Sequence, residues 1–136
     1  MANEATKVEL FGHNSAGDVI SGTISSSVAV PKGTLMVLSA SPRTIAAHSA
    51  KDEVFVGVAS AEKDVLDTST TLGCYQNGVF DFACSGAVTD GAKLALSDTA
   101  NRVIASAALT DMTKYVGMAL ADSSASGGRV VARVNK

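Results

Sequence analysis

The sequence predicts an all-β protein: a small barrel or sandwich built from two degenerate strand-turn-strand repeats, with a mobile N-terminal arm. Three observations predict it. Apolar residues alternate with polar or small ones over short runs, as in Phe80, Phe82 and Cys84 against Asp81 and Ala83, or Leu94 and Leu96 against Lys93, Ala95 and Ser97. That period of two belongs to a strand with one buried face. Polar, glycine-bearing turns separate these runs at close spacing, which suits a barrel or sandwich. Finally, the chain repeats itself. Ser27, Ala29, Val30, Gly33, Leu38 and Ser39 match Ser85, Ala87, Val88, Gly91, Leu96 and Ser97 without a gap. Further on, Phe55-Val56-Gly57-Val58-Ala59 matches Tyr115-Val116-Gly117-Met118-Ala119 after a small change of offset. Two matches in the same order define copies at residues 20–62 and 80–122 of a single β domain spanning 1–136.

Taken in order, residues 1–5 carry no apolar periodicity and form the start of an arm that runs to residue 10. Residues 6–11 alternate, with Val8 and Leu10 on one face and Lys7 and Glu9 on the other, and predict an edge strand. Residues 12–18 are a loop by composition, and His13 there lacks any acid or thiol placed to activate it. Strands follow at 19–24 and through the first copy, where Gly33, like Gly91, sits where a positive φ is easiest. Pro42 fixes a turn at 40–43 before a short strand at 44–47 and a loop at 48–52 that contains His48. In 54–59, Val54, Val56 and Val58 are expected to face one way and Phe55 and Ala59 the other. Gly57 and Gly117 interrupt their strands at matching points, as at a bulge or a close backbone approach.

Residues 61–70 suit a short helix or an exposed loop, since only Val65 and Leu66 lie among Glu62, Lys63, Asp64 and Asp67. Gln76-Asn77-Gly78 between 71–75 and 79–84 predicts a hairpin, with Tyr75 opposite Phe80 for a two-residue turn. The second copy continues through a turn at 98–101 and a strand at 102–105. Residues 106–114 have room for one helical turn, with Thr110 and Asp111 as caps. A flexible hairpin loop at 122–128 leads to the last strand, 129–134, with Val130, Ala132 and Val134 inward. The expected core comprises Phe80, Phe82, Met36, Leu38, Leu94, Leu96, Val56, Val58, Val116 and Met118.

Hydrophobic residues make up 46% of the 136, but aromatics only 4%, and Trp is absent. A core of Val, Ala, Leu and Met buries less area per residue than one with rings, so association with other subunits is expected to add stability. A net charge of −2 with no basic run argues against nucleic acid as a partner. Residues 1–7 do not read as a secretory signal, and no apolar stretch is long enough for a membrane span. Cys74 and Cys84 have neither metal-ligand spacing nor a placement that predicts a disulfide, and are read as small buried or half-buried side chains.

Chemical motifs are missing. There is no Gly-x-Ser-x-Gly elbow, His-Glu-x-x-His, phosphate loop or dinucleotide fingerprint, so no catalytic, cofactor or metal site is expected and the chain is not read as an enzyme. Ala61-Glu62-Lys63-Asp64 has some likeness to the lysine hairpin of biotinyl and lipoyl carrier domains, but the flanking pattern is absent. A solvated charged loop is the expectation.

Four stretches carry a resemblance: the opening Ala2-Asn3-Glu4-Ala5-Thr6-Lys7-Val8-Glu9-Leu10-Phe11-Gly12, the turn from Pro31 to Ser39, Val56-Gly57-Val58-Ala59, and Gly78-Val79-Phe80-Asp81-Phe82. Together they resemble the small capsid decoration, or head-stabilising cement, proteins of tailed bacteriophages, over nearly the full length. The resemblance implies a structural virion protein, made in the host cytoplasm, that decorates the outer surface of the expanded capsid. By analogy with lambda-type head decoration proteins, it implies a homotrimer on the major capsid protein, with no nucleic acid or membrane partner. The arm residues Ala2, Asn3, Glu4, Ala5, Thr6, Lys7, Val8, Glu9 and Leu10 are the expected capsid-binding element, ordered as an added strand on the shell. Two other classes stay open: a β oligomer in another phage part such as the tail, and a carrier or enzymatic β domain.

Overall fold

A computed structural model describes residues 4–9, 19–40, 42–106, 110–123 and 128–135. Its eleven strands are β1 (Thr6–Glu9), β2 (Val19–Thr23), β3 (Leu35–Ala40), β4 (Thr44–Ala47), β5 (Val54–Ala59), β6 (Thr71–Tyr75), β7 (Asn77–Cys84), β8 (Lys93–Leu96), β9 (Arg102–Ala105), β10 (Tyr115–Ala119) and β11 (Arg129–Asn135). A 3-10 turn, Met112–Lys114, precedes β10. Asp111 caps it, accepting from the Thr113 N–H at 3.0 Å, as expected of that position.

The all-β expectation holds, and the duplication is visible in the hydrogen-bond ladders. One barrel closes in the order β2-β4-β3-β5-β6 and a second in the order β7-β9-β8-β10-β11, with β1 added to the outside of β7. Strand for strand, the two orders are the same. Each barrel has a parallel pair at the same place, Thr23 with Thr44 and Ala83 with Arg102. The turns agree as well. Gly33, at φ 89°, donates to the Ala59 carbonyl at 3.0 Å, and Gly91, at φ 82°, donates to that of Ala119 at 2.7 Å. Isolated bridges join Val30 to Lys63 and Val88 to Ser123. Leu38 and Leu96 also correspond, each pairing with the second residue of the next strand, Ile45 and Val103.

Both glycine breaks are bulges. On β5 the register slips between Phe55 and Gly57, and on β10 it slips between Tyr115 and Gly117. A side chain at Gly57 would collide with the Tyr75 carbonyl, and one at Gly117 with that of Arg133, so bulge and close approach coincide.

The bulge also shifts the facing of each strand. Phe55 and Val58 share a core cluster and Ala59 points into the other, so the expected alternation of Val54, Val56 and Val58 against Phe55 fails. Of the expected core, Phe80, Phe82, Met36, Leu94, Leu96, Val58 and Val116 are buried. Val56 is only half-buried, and Leu38 and Met118 are 46% and 37% exposed. Leu38 is paired with Ile45 on one side and Val54 on the other, but follows three buried residues at the start of the exposed half of β3. Met118 faces outward because the extra residue at Val116 moves the inward position on to Ala119.

One other expectation is corrected. Asn77-Gly78 makes no hairpin: β6 pairs with β2 and β5, whereas β7 pairs with β1, β9 and β11. The segment around Gln76 hands the chain from one barrel to the next. Tyr75 and Phe80 still meet, at 5.9 Å between ring centroids, because the barrels pack together there. Of the two readings for residues 61–70 the exposed loop holds, with one turn at Val65-Leu66 and only Lys63 buried.

One cluster of buried residues fills the inside of the first barrel, with Ile24, Met36, Ile45, Leu72 and Cys74. The larger cluster joins Leu35, Val37, Phe55 and Val58 of the first barrel to Phe80, Phe82, Leu94, Val103, Val116 and Val134 of the second. The outer face of β3 and β5 is therefore part of the shared core.

Candidate interaction surface

The N-terminal segment ties the two barrels to each other. Ala5, 9% exposed, donates its N–H to the Gly33 carbonyl at 2.7 Å, and its own carbonyl fills the space a side chain on Gly33 would need. The next residues pair antiparallel with the second barrel, Thr6 opposite Asp81 and Lys7 opposite Phe80. Arg129 secures the junction. One of its guanidinium nitrogens donates to the carbonyls of Glu4 at 3.0 Å and Asp81 at 2.7 Å, and its Nε lies 3.2 Å from the Asp81 carboxylate.

Of the expected arm, Glu4 is half-buried, Ala5 is buried, and Thr6, Lys7 and Val8 are exposed on an edge strand that also includes Glu9. Ala2, Asn3 and Leu10, like Met1 and His13, lie outside the described residues. The expectation of a free segment through Ala5 is thus corrected for Ala5, which packs against Gly33. The outer edge of β1 has no strand beside it among the described residues. Val8 is the extra residue of a register slip between Lys7 and Glu9 and is 56% exposed. A bulge on an edge strand hinders indiscriminate edge pairing and turns a side chain outward.

Lys63 departs furthest from the sequence reading. It is 2% exposed, and its ammonium donates to the carbonyls of Ser26 at 3.0 Å, Val28 at 2.9 Å and Asp67 at 2.7 Å. Three donors meet three acceptors, which offsets the cost of burying the charge. The solvated charged loop is corrected for Lys63 alone, since Ala61, Glu62 and Asp64 are exposed, and a lysine in this position cannot present itself for carrier modification. Around it, the Asp64 carboxylate accepts from the Leu66 N–H at 3.0 Å and that of Asp67 from the Ser69 N–H at 2.9 Å. The hydroxyl and backbone bonds from Ser69 hold the Asp67 carboxyl below its ordinary range. The loop presents Val65 and Leu66 to solvent, 55% and 87% exposed.

His48, expected in a loop, is 1% exposed at the seam between barrels. Its Nε2 donates to the Ser97 carbonyl at 2.8 Å, and its Nδ1 accepts from the Asn101 N–H at 3.1 Å. The tautomer follows, since a carbonyl can only accept. Asn101, at φ 59°, in turn accepts from the Leu35 N–H at 3.1 Å through its side-chain oxygen. Nothing in the local sequence marks this clasp, because its members are brought together from both copies.

The two cysteines are buried and free, as small core side chains. Burial pushes the Cys74 thiol up to about 12. Among the described residues no group of three or more His, Cys, Asp or Glu could hold a metal ion. No described helix is long and apolar enough to cross a membrane. Geometry thus directs attention to exposed apolar side chains on fixed backbone, at Val8 and at Val65 and Leu66, rather than to a catalytic pocket.

Comparison with known proteins agrees. The family model for phage cement protein matches residues 14–134, which takes in both barrels and leaves β1 outside the match. No curated protein matches the chain. Among solved structures, the N-terminal base of the head fiber gp8.5 of bacteriophage phi29 is similar, at a TM-score of 0.56 and 17% identity. The similarity covers 86% of this chain and 94% of that one, and at this identity it speaks for the fold.

Proposed function

The chain belongs to the phage cement protein family, and we propose on that premise that it stabilises the phage head by binding the major capsid protein. Membership makes it a capsid-associated structural protein of the virion, from a family that is not one of enzymes. The proposal adds the partner, the outer surface of the shell as its place, a homotrimer as its state and the host cytoplasm as the site of synthesis. The observation that carries it is the family match through both barrels.

Three copies held together bind by avidity, so each contact with the shell can be weak and the whole still firm. In this reading residues 2–10 form the shell-facing segment, and β1 presents Thr6, Lys7 and Val8 outward from a docked position. A contact surface already fixed in the free chain binds with less loss of conformational entropy than a free arm would.

Purified protein mixed with undecorated expanded heads tests the proposal by co-sedimentation, with tails as a parallel sample. Saturable binding to heads, and heads that withstand heating longer when decorated, are the expected results. Binding to tails alone would move the protein to another part of the particle. Deleting residues 1–7 would remove Ala5 from Gly33 and strip β7 of a partner, so substitution is the cleaner probe of the segment. Val8→Asp combined with Lys7→Glu should leave the fold intact and weaken head binding at least tenfold; parental affinity would reject the segment as the contact.

A further inference from the structure

The edge of β2 over residues 19–21 is the counterpart of the edge of β7 that β1 covers, and we propose that it takes up an extended segment of the major capsid protein as an added strand. The name of the partner rests on the proposed function, whereas the open edge is a feature of the fold.

The ladders set the correspondence. Ala59 pairs with Cys74 and Cys74 with Ile20, as Ala119 pairs with Ala132 and Ala132 with Phe80. Val19, Ile20 and Ser21 therefore stand where Val79, Phe80 and Asp81 stand in the second barrel. There β1 lies alongside, with Glu9 opposite Val79, Lys7 opposite Phe80 and Thr6 opposite Asp81. On the side of β2 away from β6, β4 pairs at the far end, Thr23 with Thr44, and no strand lies beside residues 19–21 among the described residues. Exposure follows, since Val79 is 7% exposed and Val19 48%.

The backbone of this edge is turned outward. Thr23 donates its N–H to the Arg43 carbonyl at 2.8 Å, on the side away from β6. Backbone groups along an antiparallel strand alternate in direction, so those of Ser21 and Val19 turn the same way. An arginine marks the place in each barrel. Nη2 of Arg129 donates to the Asp81 carbonyl at 2.7 Å and to the Glu4 carbonyl of the docked segment at 3.0 Å. Nη2 of Arg43 donates to the matching Ser21 carbonyl at 2.7 Å and, among the described residues, to no second acceptor. Its other N–H is left for the carbonyl of an incoming strand.

The count of strands points to the occupant. Each chain has two such edges and one N-terminal segment, which Arg129 and Gly33 hold on β7. A second copy is committed in the same way, so the strand for β2 comes from another protein, and in the proposed function that protein is the major capsid protein. Main-chain bonds supply the affinity in such an addition, and an edge of three residues is too short to pair indiscriminately.

Proline tests a main-chain contact, because it removes an N–H and its ring obstructs an approaching strand. Ser21→Pro and Val19→Pro lose an N–H that faces the open edge rather than β6, so both should keep the fold, as circular dichroism can check. Each should bind undecorated expanded heads at least tenfold more weakly in co-sedimentation, and Arg43→Gly about fivefold more weakly. In hydrogen exchange, the Val19 and Ser21 amides of the parent should exchange fast in the free protein and slowly on heads. Parental binding by a folded proline variant, or amides that exchange equally fast on heads, would overturn the inference while head binding by the parent kept the cement reading in place. Slow exchange in the free protein that dilution abolishes would put a second copy on the edge and overturn it as well. A parent that does not bind heads would overturn both.

Discussion

Leu35, Val37, Phe55 and Val58 of the first barrel are no more than 1% exposed, whereas their counterparts in the second, Lys93, Ala95, Tyr115 and Met118, are exposed or half-buried. Two pairs of inward positions do not differ in this way. Met36 and Leu94 are both 0% exposed, and Ala59 and Ala119 both 1%. A shared ladder therefore carries two kinds of outer face. One copy's β3 and β5 are apolar on both sides and are covered by the other barrel; the second copy's β8 and β10 are apolar on one side and meet solvent. Duplication explains the ladder, and divergence at the outward positions explains why the barrels pack asymmetrically, side chains of one face against the core of the other.

Substitution of paired positions measures that asymmetry. Leu35→Ala should lower stability by about 2–5 kcal/mol through lost transfer and cavity terms. Lys93→Ala at the matching place should change it by about 0.5 kcal/mol or less, as for an exposed position. Denaturant titrations of both compare them, and equal effects would mean that the outer face of β3 is not a core face. Next in size, Lys63→Met leaves three carbonyls without their ammonium and should cost about 1.5–3 kcal/mol, the range for hydrogen bonds to a charged group. Its counterpart Ser123→Ala should cost less than about 1 kcal/mol. Hydrogen exchange should show the loop at 64–69 opening in the first variant alone.

The clasp between barrels is weaker. Asn101→Gly keeps the positive φ and removes the acceptor of the Leu35 N–H, for a cost of about 1–3 kcal/mol. Arg43 occupies the matching position at φ 49° and is exposed, but its guanidinium donates to the Ser21 carbonyl at 2.7 Å, so Arg43→Gly should cost less than about 1 kcal/mol. The smallest effect concerns Cys74, whose counterpart in the second barrel is Ala132. With its thiol raised in the folded state from 9.0 to about 12, the protection is complete below pH 9 and is lost as pH rises towards 12. Cys74→Ala should therefore change neutral stability little and flatten the alkaline decline, which melting curves from pH 8 to pH 11 can resolve.

Local patterns made much of the fold legible. Period-two runs marked the strands, and Gly33 with Gly91 and Gly57 with Gly117 marked equivalent turns and bulges, since a side chain at Gly33, Gly57 or Gly117 would strike a carbonyl and Gly91 shares the positive φ of Gly33. What long-range packing decides stayed hidden. Asn77-Gly78 has the composition of a hairpin turn, yet β6 and β7 belong to different barrels, and closure of each barrel outweighs the local preference. Lys63 looked solvated because its partners at Ser26, Val28 and Asp67 are backbone carbonyls, which any residue supplies and no motif records. His48 was likewise unreadable, since its acceptor and donor lie about fifty residues away in the other copy. The expected arm was half legible: Thr6–Glu9 is an edge strand, but the close fit of Ala5 on Gly33 depends on the meeting of two turns that no periodicity announces.

A density map of intact particles would show whether this duplicated barrel is a cement on the phage head. Density is expected for both barrels on the outside of the shell, touching the major capsid protein, with three copies about each threefold position and β1 at the contact. Double-barrel density confined to the tail, or shells that carry none while the protein is present in the particle, would contradict it.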